Sequence, residues 1–167
     1  MKHRLDVNGE SREVDVPQGT TLLEALRDDL GLVAARYGCG RGQCGACFVL
    51  ADGRAVASCL ISVGQAEVHR IVTVEGLVSA GWDAVQRAFV EEDAMQCGYC
   101  TSGMLISAAG LLARQRSPTD DEIRDALEAE SVPLRRAAPR RACRPARGGD
   151  AVPALLSWSA GRSTGRS

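Results

Sequence analysis

The chain has 167 residues, of which 45% are hydrophobic, 25% charged and 4% aromatic, a composition that excludes an intrinsically disordered protein. No apolar run approaches the roughly 20 residues that a membrane-spanning helix needs, and Met1–Asp6 leads into no signal-peptide pattern, so we expect a cytoplasmic protein without a membrane span. The net charge of −1 is uneven: residues 131–167 carry eight arginines and one acidic residue, which leaves a net −8 on residues 1–130.

The first part of the chain has the pattern of a small α+β domain. Alternating apolar residues on both sides of Asn8-Gly9 predict a β-hairpin over residues 5–16. Thr21 and Glu24 form a capping box, and leucines at helical spacing predict a helix that ends at Gly31. A second hairpin around Asp52-Gly53 and a strand over residues 71–74 complete the pattern. We predict that this domain spans residues 1–76.

After Gly76 the pattern changes to helices. Apolar residues share one helical face over residues 82–89, and a second apolar stripe runs from about Gly98 to Gln115. Thr119 and Glu122 predict the start of a third helix. We predict a helical domain over residues 77–130, which is incomplete because no fourth helix follows to close a bundle. The arginine- and proline-rich residues 131–167 are predicted to be a disordered tail.

Seven cysteines indicate metal ligands, since an odd number cannot complete a disulfide framework within one chain. Cys39, Cys44 and Cys47 form a C-x4-C-x2-C motif, and Cys59 follows twelve residues later. This is the arrangement of plant-type ferredoxins, which hold a [2Fe–2S] cluster with four thiolates. The loop is rich in glycine, which allows tight wrapping and lets backbone N–H groups approach the sulfurs. These glycines are Gly38, Gly40, Gly42 and Gly45.

Two other interpretations of this loop are weaker. A structural zinc site usually has two C-x2-C knuckles, whereas this motif has one. Residues 40–45 also match G-x-G-x-x-G, but they do not join a strand to a helix as a dinucleotide-binding loop must. Two alternative functions remain, a free-standing ferredoxin and, less favoured, a zinc-binding interaction module.

A second motif, Cys97-Gly98-Tyr99-Cys100, precedes a predicted helix. By itself, a C-x2-C motif at the start of a helix fits a redox-active dithiol, half of a zinc site or simple helix packing. The order of this motif among other short motifs in the chain narrows these possibilities. It follows Gly38-Cys39-Gly40, Cys44-Gly45-Ala46-Cys47 and Glu75-Gly76-Leu77, and Gln96 comes directly before it.

Together, these motifs closely resemble the small iron–sulfur subunit of the molybdenum hydroxylases, the xanthine oxidase family, over residues 3–128. The resemblance implies an N-terminal β-grasp ferredoxin domain and a C-terminal helical bundle, each with a [2Fe–2S] cluster. It implies that Cys39, Cys44, Cys47 and Cys59 bind the first cluster, that Cys97 and Cys100 bind the second, and that Gln96 lies near the pterin of the molybdenum cofactor.

The resemblance also implies a non-catalytic, electron-transfer role in an oxidoreductase complex. A large partner subunit would hold the molybdenum cofactor. Single electrons would pass from molybdenum to the second cluster, then to the first, and then to FAD or a cytochrome in another partner. No nucleic acid partner is expected. The sequence around residues 82–89 most resembles that of the nicotinate and isoquinoline dehydrogenase type.

The sequence departs from the family at the expected C-x-C that completes the second cluster. That motif would fall at positions 132 and 134, which are Val132 and Leu134, and Cys143 is the one cysteine that remains. Back-translating residues 129–135 and reading one base later permits Arg-Asn-Leu-Cys-Arg-Cys-Gly, so we predict a reading-frame shift near Ala129. The alternative is a genuine basic tail that binds nucleic acid or an acidic partner.

Overall fold

The two predicted hairpins and one further strand form a single mixed sheet in a computed structural model that describes residues 1–128. The predictions for Val132, Leu134, Cys143 and the tail therefore lie outside the described residues. The strand order is β2-β1-β5-β3-β4, with β1 and β5 parallel and the other pairs antiparallel. The strands are β1 Lys2–Val7, β2 Glu10–Asp15, β3 Phe48–Ala51, β4 Arg54–Ala57 and β5 Arg70–Val72.

Both hairpin turns have the backbone conformation that their sequences predict. Asn8 and Gly9 have φ of 56° and 80°, and Asp52 and Gly53 have φ of 50° and 79°. Two successive residues with positive φ make the type of two-residue turn whose twist matches that of paired strands. Both predicted hairpins are therefore confirmed, including the register that buries Leu5 and Val7.

The helix after the first hairpin begins at the predicted cap but does not continue as a regular α-helix. Thr21 and Glu24 form both halves of the capping box. Helix α1 (Leu22–Glu24) passes into a π-helical turn, Ala25–Asp29, closed by the Leu30 N–H on the Ala25 carbonyl at 3.0 Å. The wider turn keeps the leucine face of this segment buried under the sheet. The π-turn is a correction to the continuous helix that the leucine spacing predicted.

Three short elements were missed by the sequence analysis. They are a 3₁₀ turn at Ser58–Leu60, helix α2 at Val63–Ala66 and a 3₁₀ turn at Val74–Gly76. Helix α2 has a capping box between Ser62 and Gln65, a signal that was available in the sequence. The last 3₁₀ turn takes Val74 out of the strand predicted over 71–74, because it turns the chain away from the sheet.

The predicted helices of the second half are confirmed as α3 (Asp83–Glu91), α4 (Thr101–Arg114) and α5 (Asp120–Glu128). Helix α4 packs on the sheet through Gly110, where an added Cβ would lie 3.1 Å from the Ala55 backbone nitrogen. Leu50 of β3 joins Leu77, Ile106 and other residues of this half in a second hydrophobic cluster. Within residues 1–128, no helix combines the length and apolar character needed to cross a membrane.

The chain passes from the sheet to the helices through a contact between Asn8 and residues 73–76. The Asn8 side chain accepts from the Thr73 backbone N–H at 2.9 Å and donates to the Thr73 hydroxyl at 3.0 Å. It also lies against Gly76, where an added Cβ would come within 2.8 Å of the Asn8 Cβ and closer still to its amide. Glycine is required at position 76 because the Asn8 side chain approaches its backbone so closely. Backbone conformation is not the reason, since the φ of Gly76 is not in the left-handed region.

We therefore expect Gly76→Ala to push the Asn8 amide off Thr73 and to lower the free energy of unfolding by about 1–3 kcal/mol, the usual cost of overpacking. Urea unfolding followed by circular dichroism measures this change. Gly64→Ala is the matched control, because its Cβ would meet no atom closer than 3.6 Å. Equal midpoints for the two variants would contradict the role given to the Asn8 contact.

Candidate metal centre

The loop over residues 38–47 leads directly into β3 and folds its backbone inward. Gly40, Gly42 and Gly45 have φ between 64° and 69°, a conformation that disfavours side chains. This winding directs backbone N–H groups at sulfur. The N–H groups of Arg41 and Gln43 both donate to the Cys39 Sγ at 3.3 Å.

The four cysteines of the first motif lie together as two pairs. Cys39 and Cys44 lie side by side, with the Cys39 backbone N–H donating to the Cys44 Sγ at 3.4 Å, and the Cys47 and Cys59 side chains lie close enough to interact. Cys44 and Cys47 are only 1% and 2% exposed, whereas Cys39 and Cys59 are half-buried. The loop and the hairpin therefore bring these four predicted ligands to one place.

The fourth cysteine reaches the loop because β4 ends in a 3₁₀ turn. Within that turn, the buried Ser58 hydroxyl donates to the Cys47 carbonyl at 2.6 Å. This bond fixes the start of the turn against the end of the loop, and Cys59 then lies beside Cys47. Ser58 is a residue that the sequence analysis missed, and no local pattern distinguishes it from any other serine after a strand.

The surroundings of these thiols shift their pKa values in different directions. Burial opposes ionisation of Cys39, but N–H groups of Arg41, Gln43 and Cys44 donate to its sulfur and lower its pKa to about 7. Burial raises the pKa of Cys44, and burial raises the pKa of Cys47 to about 12. Inward-facing N–H groups are thus arranged to stabilise negative charge on sulfur at the outer end of the site.

The donor set fits a two-iron cluster. A [2Fe–2S] cluster takes two thiolates on each of two irons, which is what two neighbouring pairs of cysteines can supply.

Two glycines of the loop leave space for neighbouring side chains, the Cys44 thiol beside Gly38 and Leu60 beside Gly42. A Cβ on Gly38 would lie 2.6 Å from the Cys44 Sγ, and a Cβ on Gly42 would lie 2.5 Å from the Leu60 side chain. Cys44 has little room to move because it is almost fully buried. The glycines are therefore part of the cradle around the sulfurs.

The second cysteine motif lies between α3 and α4 and is more exposed. Cys97 is exposed and Cys100 is half-buried at the N-cap of α4. Gln96 is also exposed. The Ser102 hydroxyl, two residues into the helix, is buried with no hydrogen-bond partner among the described residues. This half of the site supplies two thiols, so residues 1–128 alone do not complete a four-thiolate cluster.

The two cysteine motifs face each other through the residues beside them. The Arg36 guanidinium donates to the Gly98 carbonyl and lies over the Tyr99 ring, 5.3 Å from its centroid. The Tyr99 hydroxyl in turn donates to the Tyr37 carbonyl. Arg36 and Tyr99 were not among the predicted site residues.

Comparison with protein families gives two matches that together cover both halves of the described chain. Residues 5–71 match a model described as a 2Fe-2S iron-sulfur cluster binding domain. Residues 73–132 match a second model, described as a [2Fe-2S] binding domain.

A nicotinate dehydrogenase subunit of Pseudomonas putida is 48% identical over 126 residues, which cover 75% of this chain and 80% of the relative. The nicotinate dehydrogenase small FeS subunit of Eubacterium barkeri is 42% identical over 124 residues, 74% of this chain and 79% of the relative. The chain belongs to the family of small iron–sulfur subunits of the molybdenum hydroxylases.

A solved structure of the same family has the same fold. Quinoline 2-oxidoreductase from Pseudomonas putida 86 matches with a TM-score of 0.77 and 33% identity, over 96% of this chain and 96% of the other. The predicted fold class, a β-grasp ferredoxin domain followed by a helical [2Fe–2S]-binding domain, is confirmed. The protein is thus a non-catalytic electron-transfer component that works with a large molybdenum-cofactor-binding subunit.

We expect Gly38→Ala to lower the iron and acid-labile sulfide content of the purified chain, since its Cβ displaces the Cys44 sulfur. The strain of such overpacking is about 1–3 kcal/mol. Gly64→Ala controls for the loss of a glycine elsewhere in the same half of the chain. Full iron loading of Gly38→Ala would show that the cradle has more room than this geometry allows.

Proposed function

We propose that Cys39, Cys44, Cys47 and Cys59 bind the first [2Fe–2S] cluster, with Cys39 and Cys44 on one iron and Cys47 and Cys59 on the other. The observation that carries this proposal is the placement of the four thiols as two neighbouring pairs at one loop. A [2Fe–2S] cluster, when bound, supplies one-electron oxidation and reduction.

The residues of the loop then have distinct tasks. Backbone N–H groups of Arg41 and Gln43 donate to the Cys39 sulfur and offset part of its negative charge. The nearly complete burial of Cys44 and Cys47 keeps water from the inner side of the site. Donors and burial are two of the factors that set the potential of such a centre.

For the second site we propose that Cys97 and Cys100 are two ligands and that Gln96 lies near the pterin of the partner's molybdenum cofactor. Support comes from their common position between α3 and α4, next to the first site, and from the exposure of Gln96. The two further ligands that such a cluster needs do not stand at the expected positions, which are Val132 and Leu134. The chain as written therefore has an incomplete second site.

We propose that a shift of reading frame near Ala129 accounts for these missing ligands. The second family match ends at residue 132, next to the point where net charge and proline content change. Resequencing of the gene across codons 125–145 tests this directly. A confirmed frame that encodes residues 131–167 as written would sink the proposal and leave a genuine basic tail.

The acceptor of electrons is proposed to be a protein that carries FAD or a cytochrome, docked at the loop of the first cluster. Tyr37 and Leu60, which flank this loop, are 64% and 58% exposed, as side chains that contact a partner are before assembly. We further propose a cytoplasmic location, because a reducing compartment keeps all of these thiols available for iron.

The purified 167-residue chain is expected to hold about two irons and to give one EPR signal after dithionite reduction, because only the first site has four thiolates. Iron and sulfide analysis with low-temperature EPR measures both quantities. A frame-corrected chain with cysteines at positions 132 and 134 is expected to hold about four irons and to give two signals. Four irons in the chain as written would overturn the account of the second site.

Single serine variants separate the two sites. Cys47→Ser is expected to abolish the signal of the chain as written, because it removes one of the four thiolates. Cys97→Ser in the same chain is the matched control and is expected to leave that signal and the iron content unchanged. Retention of the signal in Cys47→Ser, or its loss in Cys97→Ser, would show that the assignment of ligands to sites is wrong.

A further inference from the structure

Arg36 contacts both cysteine motifs at once. Its backbone N–H donates to the Ala46 carbonyl at 2.8 Å, and Ala46 lies between Cys44 and Cys47 in the first loop. Its guanidinium donates to the carbonyl of Gly98, which lies between Cys97 and Cys100. One half-buried residue therefore joins the two loops, and Arg36 and Gly98 are 62 residues apart in the chain.

From these contacts we infer that Arg36 is a positioning residue, which holds the Cys97–Cys100 segment against the loop of the first cluster. The inference rests on the proposed function, because it concerns the distance and connection between the two cysteine sites of the relay. Arg36 binds no iron in this account, and it acts through the backbone that carries the ligands.

The segment needs such a hold because it has no regular structure of its own. Residues 92–100 contain no helix or strand, and they are anchored by the end of α3 and the start of α4. Gly98 has a φ of 76°, a conformation that is open mainly to glycine, and this turn presents its carbonyl to Arg36. Loss of the guanidinium would leave the carbonyl of this turn without its described partner.

Tyr99 adds a second contact in the same place. Its ring lies under the Arg36 guanidinium, and its hydroxyl donates to the Tyr37 carbonyl. A cation over an aromatic ring and a charge-assisted hydrogen bond each contribute more when partly shielded from water, as Arg36 is. Arg36, Tyr37, Gly98 and Tyr99 thus form a clasp between the two loops.

Hydrogen–deuterium exchange on the full chain tests the inference, read at the peptide that covers residues 95–101. Arg36→Gln is expected to raise exchange there by roughly tenfold, as the net worth of a hydrogen bond to a charged group predicts. Arg36→Lys, which keeps the charge and a donor but loses the planar fork, is expected to restore part of the protection. Tyr99→Phe is expected to give a smaller increase, since it keeps the ring and removes one bond.

Arg54→Gln is the matched control, because it removes the same charge from an exposed position on β4 that belongs to neither cysteine motif. We expect it to exchange like the unmodified chain. Wild-type exchange at 95–101 in Arg36→Gln would overturn the inference. So would an increase spread evenly over residues 1–76, or a lack of rescue by lysine, since either would mark Arg36 as a general stabilising residue.

Iron content measured on the same samples separates this inference from the proposed function. Arg36→Gln is expected to keep the iron of the first site, as Arg54→Gln is, because its backbone bond to Ala46 is unchanged. If none of the proteins holds iron, the proposed function fails while the exchange comparison still decides the clasp. If iron is bound and exchange is unchanged, the clasp fails and the proposed function stands.

Discussion

The structure depends on one constraint, the convergence of four cysteine side chains from one loop and one hairpin. Three of them come from a ten-residue loop, which can close so tightly only where the backbone takes positive φ at Gly40, Gly42 and Gly45. The same winding turns N–H groups toward the Cys39 sulfur, so loop closure and charge stabilisation have a single cause. The sheet, the hairpin β3–β4 and the 3₁₀ turn after it serve to bring Cys59 to this loop.

The position of the second cysteine motif depends on the packing between the two halves of the chain, which contact each other directly. Gly110 lets α4 approach the β4 backbone, and Gly76 lets the chain leave the sheet beside Asn8. These close contacts fix the position of α4 relative to the sheet. Because Cys100 is the N-cap of α4, they also fix the position of Cys100. The position of the second cysteine motif is thus fixed from the sheet side, and the clasp at Arg36 completes it from the loop side.

Much of this could be predicted from sequence because the signals are local. Asn8-Gly9 and Asp52-Gly53 encode their own turns, Thr21 with Glu24 encodes a cap, and the cysteine spacing encodes the first site. The π-helical turn could not be predicted, since its leucines have ordinary helical spacing and only burial against the sheet selects the wider turn. The Arg36–Gly98 bond could not be predicted either, because nothing within either segment refers to a residue 62 positions away.

The clasp bears on how a chain without Cys at 132 and 134 can still present Cys97 and Cys100 in place. In many metal sites the ion itself orders the ligands, so that a site with missing ligands loses its shape. Here the contacts that hold residues 97–100 are made by Arg36, Tyr37 and the start of α4, and none of them needs iron. The positions of Cys97 and Cys100 therefore do not depend on how many ligands the site has. Residues 97–100 are thus held beside the first cysteine motif whatever supplies the remaining ligands.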